Sequence, residues 1–184
     1  MPRYAAFLRA INVGGHVVTM SELRRSFESL GLLGVESFIA SGNVIFTSTT
    51  KRAATLETRI EQQLQKALGY EVKTFLRSDA EVAAIASYAP FNPSAVRTAG
   101  ALVVGFLGAA LEAAAVRRLM ALRTEIDDFH VHGREVYWLC RRKQSESTFS
   151  NALFERTLRL STTFRNVRTV ARLAAKYGFS PPSA

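Results

Sequence analysis

The order of β-rich and helix-periodic segments, βαββαβ and then once again, predicts an α+β protein of two ferredoxin-like halves related by duplication, each an antiparallel sheet with helices on one face. Three observations carry that expectation. A short apolar run ends at Gly14-Gly15 and leads into a capped amphipathic helix. Ser41-Gly42-Asn43 joins two β-rich runs as a hairpin. The same succession returns after a proline-containing connector, with a period of roughly 90 to 100 residues, too long for a solenoid.

Taken in order, Tyr4 to Ile11 is an apolar run carrying one arginine and reads as the first strand. Thr19 with Glu22 three residues on is a capping box, and Met20, Leu23, Phe27 and Leu30 follow at helical spacing until Gly31 and Gly34. Val35 to Ala40 and Val44 to Thr47 are the hairpin strands. Leu56, Ile60, Leu64 and Leu68 mark a second helix closed by Gly69, and Val72 to Leu76 is a fourth strand. The first half is therefore expected at 1–77. A helical connector at 78–98 opens with Asp79 as a cap and contains Pro90-Phe91-Asn92-Pro93. The second half, 99–184, repeats the plan: a strand at Leu102 to Leu107, a helix at Leu111 to Leu122, and a hairpin of Phe129 to Val131 with Glu135 to Cys140 turning at His132-Gly133. A helix from Phe149 to Leu158 and a short strand from Thr162 to Arg165 follow. Asn166 then caps a terminal helix that runs to Tyr177.

Composition bounds the class. At 48% hydrophobic and 21% charged residues, the 184-residue chain matches a globular protein and excludes wholesale disorder. Its longest uncharged apolar run, Ala99 to Leu111, has 13 residues with three glycines, short of a bilayer span. Arg3 and Arg9 leave no room for a signal-peptide core, and the lone Cys140 forms no internal disulfide, so a cytoplasmic location is expected. The net charge is +9, with ten Lys/Arg against three Asp/Glu in residues 134–184. That asymmetry suits a polyanion partner, and it equally suits an arginine-biased composition with no partner at all.

The predicted topology brings distant loops together. In a ferredoxin-like sheet the end of strand one, the hairpin between strands two and three and the second helix-to-strand turn share one edge. Asn12 to Gly15, Ser41 to Asn43 and Gly69 should converge there; Gly108, His132 to Arg134 and Ser161 to Arg165 should do so in the second half. Arg9 supplies a permanent cation with five donors, Asn12, Ser41 and Asn43 supply polar side chains, and Gly14-Gly15 allow backbone amides to approach an anion. Amides at a helix entry add the positive end of its dipole. The spacing matches neither the phosphate loop ending in Gly-Lys-Ser/Thr nor the dinucleotide GxGxxG pattern. Plain turns, with Arg9 paired to a carboxylate, would use the same residues.

Other constellations are weaker. Asp128, His130 and His132 alternate onto one strand face as a metal site would, but no further ligand is evident, and neither metal nor cofactor is expected. His16 lies in the Gly-Gly loop as a possible acid or base without a carboxylate partner. Cys140 alternates with Trp138 as a core residue rather than a nucleophile. Arg165, Arg168, Arg172 and Lys176 form a basic stripe opposite Val167, Val170, Leu173 and Tyr177: a phosphate-backbone surface or a solvated helix face.

The stretches Ile11 to Gly15 (INVGG) and Ser41 to Phe46 (SGNVIF), together with Met20, Leu23-Arg24, Asn151, Phe154-Glu155, Thr163, Arg165-Asn166 and Thr169-Val170, resemble the bacterial family called domain of unknown function 1697. The resemblance spans nearly the whole chain. It implies a duplicated ferredoxin-like fold and no established activity. The chain departs from the family's pattern at Ala10, where a glycine is usual, at Ala40, where a polar residue is usual, and at Val167, where a tryptophan is usual. The reading favoured is a binding protein for a phosphate-bearing small molecule or nucleic acid at the loop edge of the first half. An enzyme with its cleft between the halves and a protein-interaction module are the alternatives, and the oligomeric state stays open.

Overall fold

The computed structural model describes residues 1–39 and 42–181. Among these, the first sheet is built by β1 (Arg3–Leu8), β2 (Leu33–Ser37), β3 (Asn43–Thr47) and β4 (Thr74–Ser78), with α1 (Met20–Glu28) and α2 (Ala53–Leu68). Two connecting helices follow, α3 (Asp79–Ser87) and α4 (Pro93–Thr98). The second sheet uses β5 (Ala101–Phe106), β6 (Asp127–His132), β7 (Glu135–Cys140) and β8 (Thr163–Asn166), with α5 (Ala113–Met120) and α6 (Asn151–Leu158), and α7 (Val167–Tyr177) follows β8 in the chain. The sheet orders are β2-β3-β1-β4 and β6-β7-β5-β8, antiparallel throughout. Both are the ferredoxin-like order, so the fold is α+β with two similar halves. Two compact units result, Met1–Ala86 with the segment from Ala171 onward, and Ser87–Val170. Among the described residues no helix is long and apolar enough to cross a membrane.

In the first unit, Tyr4, Ala6 and Leu8 of β1, Val44 and Phe46 of β3 and Leu76 of β4 face Leu23 and Phe27 of α1 and Leu56, Ile60 and Leu64 of α2. The intervening residues Ala5, Phe7, Ile45 and Phe75 are buried as well. A strand covered on both sides reads as a continuous apolar run, which is why β1 shows no alternation in the sequence. The second unit packs Val103, Phe129, Val136, Trp138 and Cys140 against Ala115, Leu119, Phe154 and Leu158.

The caps follow the sequence at α1 and α2. Asp79, expected as the cap of α3, is instead its first helical residue, and Ser78 caps it, the Ser78 hydroxyl accepting from Glu81 N at 3.3 Å and Glu81 Oε2 accepting from Ser78 N at 2.8 Å. The Thr19 hydroxyl accepts from Glu22 N at 3.2 Å, and Glu22 Oε2 accepts from Thr19 N at 2.8 Å, closing the capping box. Gly69 ends α2 at φ +82°, and Asn92 caps α4. The duplication extends to a shared device. Glu61 of α2 accepts from Thr74 N at 2.9 Å, and Glu155 of α6 accepts from Thr162 N at 3.0 Å, so in each unit a helix carboxylate receives an amide at the entrance to the fourth strand, the first residue of β4 and the residue before β8.

Strand limits differ from expectation for local reasons. β1 stops at Leu8 rather than Ile11 because Ala10 turns to φ +57°. β2 starts at Leu33, opposite Thr47, with a register irregularity before Glu36, and ends at Ser37 rather than Ala40. β4 begins at Thr74, two residues later than the apolar run suggests. β6 reaches back to Asp127, which pairs with Cys140.

Candidate functional site

The end of β1 is tied to two other segments. Leu8 N donates to Gly42 O at 2.8 Å, and Arg9 N donates to Lys73 O at 2.9 Å, while Phe7 stands opposite Asn43 in the ladder. The strand end, the β2–β3 hairpin and the α2–β4 turn therefore form one edge, as the topology requires. Ser41, with Ala40, lies outside the described residues.

Beyond that edge runs an exposed loop from Asn12 to Val17. Asn12 shapes it: its Oδ1 accepts from Val18 N at 2.9 Å, and His16 N donates to Val13 O at 3.1 Å. Gly14 and Gly15 sit at φ +62° and +83°, conformations that side chains resist. The His16 ring stacks on Tyr70 with centroids 4.3 Å apart, and the Tyr70 hydroxyl donates to Ile11 O at 2.5 Å. Burial raises the Tyr70 phenol above its ordinary value. Tyr70 was not among the sequence candidates; its one signal was its place beside Gly69, in a turn the topology assigns to this edge.

Asn43 is a buried structural residue, its Nδ2 donating to Phe38 O at 2.9 Å and Ile39 O at 3.4 Å. Arg9 is half-buried at the strand end. The helix dipole contributes less than the sequence suggests. α1 begins five residues after Gly15, and its positive end is occupied by the chain's own Glu22 carboxylate. The Thr19 amide and then the Thr19 hydroxyl hold that carboxylate below its ordinary pKa.

Ala10 sits at φ +57°, a conformation that penalises any Cβ. Ala10→Gly is expected to raise the unfolding free energy by up to ~1 kcal/mol, read as a higher denaturant midpoint at an unchanged slope. A lower midpoint would show that the Cβ is accommodated without strain.

The basic residues divide. Arg165 lies on β8, not on the helix; its Nη1 donates to Thr163 Oγ1 at 2.7 Å and Phe164 O at 2.9 Å, and desolvation lowers its pKa to about 10. Arg168, Arg172 and Lys176 are exposed along α7, on the side away from buried Val170 and Leu173. Lys176 Nζ sits 5.5 Å from the Phe38 centroid and 5.0 Å from that of Tyr177.

Asp128, His130 and His132 already have partners. Asp128 pairs with Arg123 at 2.7 Å and Arg141 at 3.5 Å. The Tyr88 hydroxyl lies 2.8 Å from His130 Nε2, and the Tyr88 ring stacks on His132 at 4.1 Å. Cys140 is fully buried, and that burial pushes its thiol pKa up, the opposite of what a nucleophile needs.

The second unit repeats the edge: Leu107 N donates to Arg134 O at 3.0 Å, and Thr162 Oγ1 donates to Phe106 O at 2.9 Å. Gly14-Gly15 has no counterpart in it, because the chain there passes from Leu107 through a single Gly108. A cavity of about 150 Å³ elsewhere in this unit is lined by Val96, Gly100, Leu102, Asn166, Val167 and Arg168.

Among solved structures, the conserved bacterial protein SP0830 from Streptococcus pneumoniae is similar at 25% identity and a TM-score of 0.70, covering 95% of this chain and 97% of its own. Comparison with curated proteins finds no match. Residues 1–137 match the family described as "Protein of unknown function (DUF1697)". That span contains the whole first sheet, the Gly-Gly loop and the second unit as far as β7, and the chain is a member of this family.

Proposed function

We propose that the protein binds a phosphate-bearing or other anionic ligand at the loop edge of the first unit. The observation that carries this is the pair Gly14 and Gly15: consecutive, exposed, at positive φ, with amides that donate to no acceptor among the described residues. Two such amides are an anion's natural donors, and Arg9 adds permanent positive charge at the end of β1. Asn12 and Asn43 serve by holding the loop and the hairpin in shape. Ser41 stays a candidate from the sequence. The exposed cations Arg168, Arg172 and Lys176 favour a polyanion such as nucleic acid, with Arg165 withdrawn into β8.

A thermal-shift screen with inorganic phosphate, sugar phosphates and nucleotides tests the small-ligand form. A ligand at a hundred times its dissociation constant adds about 2.7 kcal/mol, a shift of several degrees. The shift should vanish in Arg9→Ala and in the double variant Gly14→Ala with Gly15→Ala, and melting each variant without ligand separates lost binding from lost stability. Gel shift at two salt concentrations tests the nucleic-acid form, in which affinity falls steeply with salt. No binder in either class sinks the proposal.

A further inference from the structure

We propose that the ligand of this edge is a nucleotide, with its base on the outer face of His16 and its phosphate at Gly14 and Gly15; the inference rests on the anion-binding reading above. Among the described residues the His16 ring stacks on Tyr70 alone, with centroids 4.3 Å apart, and His16 is itself exposed. The platform is anchored. The Tyr70 hydroxyl bond to Ile11 O at 2.5 Å ties the turn after α2 to the start of the loop, so the ring beneath His16 is held in place. A flat aromatic face that is already supported from behind is the geometry on which a base stacks.

The donors and the platform lie side by side. A Cβ placed on Gly14 would stand 3.9 Å from His16 Cδ2, so the amides and the ring fall within the span of one nucleotide. The flanking side chains are apolar and open to solvent, Val13 at 52% and Val17 at 82% exposure. Inorganic phosphate or a sugar phosphate would leave these surfaces wet; an aromatic base would cover them. Stacking on a ring face does not depend on the pattern of a base's edge, so binding should tolerate all four bases.

The test is titration calorimetry with adenosine, guanosine, cytidine and uridine 5′-monophosphates, ribose 5-phosphate and inorganic phosphate. The four nucleotides should bind roughly tenfold or more tightly than ribose 5-phosphate. In His16→Ala the ratio of nucleotide to ribose 5-phosphate affinity should collapse toward one, and in His16→Phe, which restores a flat ring, it should persist. If ribose 5-phosphate binds as well as the nucleotides, or if His16→Ala keeps the ratio, the nucleotide inference falls and anion binding stands. If none of the six binds, the nucleotide inference falls together with the small-ligand form of the anion-binding reading, and the gel shift alone decides the nucleic-acid form.

Discussion

Asp127→Ala is expected to destabilise the second unit by about 3–5 kcal/mol. Asp127 is 1% exposed, and its carboxylate accepts from Trp138 Nε1 at 2.8 Å, from Ser147 Oγ at 2.8 Å and from Thr124 Oγ1 at 2.9 Å. Alanine leaves all three donors without that acceptor, two of them in or beside the core formed by Trp138 and Phe149. Asp127→Asn keeps one oxygen but turns a donor toward donors, so it should fall between the two. Trp138 is the single tryptophan, and its fluorescence during urea unfolding reports on the affected region directly. A midpoint unchanged from the parent protein would show that water takes over these bonds at no cost.

Gly100→Ala should cost about 3 kcal/mol for a different reason, a steric collision with the main chain. A Cβ there would lie 1.9 Å from Arg142 O and 2.4 Å from Arg142 C, where no side-chain rotation gives relief. Separating the two segments also strains the bond from Gly100 N to Cys140 O, 2.9 Å long, at the start of the β5–β7 ladder. Gly108→Ala is the matched control, with nothing within 4 Å of the added carbon, and should stay within about 0.5 kcal/mol of the parent. Equal stability of the two variants would mean that the Arg142 segment moves freely.

The candidate site was partly legible before folding. Gly14-Gly15 and Arg9 could be picked out by chemistry, and the topology placed Arg9 next to Leu8, whose amide bonds to the hairpin at Gly42. The roles of the asparagines were not legible, because Asn12 and Asn43 spend their amides on Val18 N and Phe38 O, acceptors and donors that only the closed loops present. Tyr70 was missed because stacking on His16 joins residues 54 positions apart, and no local pattern marks such a pair. Asp127 was passed over for its neighbour Asp128, since which of two adjacent carboxylates turns inward depends on strand register.

What the sequence determined by itself was the succession of elements and their ends where a local device sets them: the Thr19–Glu22 capping box, the left-handed Gly69 and the Asn166 cap, each complete within a few residues. What only the tertiary structure decided was everything that depends on a partner far along the chain. Arg165 reads as one more cation of a helical stripe and is instead desolvated on β8, and Arg77, charged and unremarkable in sequence, is fully buried with its Nη1 on Leu76 O at 2.8 Å. The segment from Ala171 onward belongs to the first unit, although it follows the last strand of the second. Burial is a property of packed surfaces rather than of residue order, so charge and polarity along the chain fix what a side chain prefers, and the fold fixes what it meets.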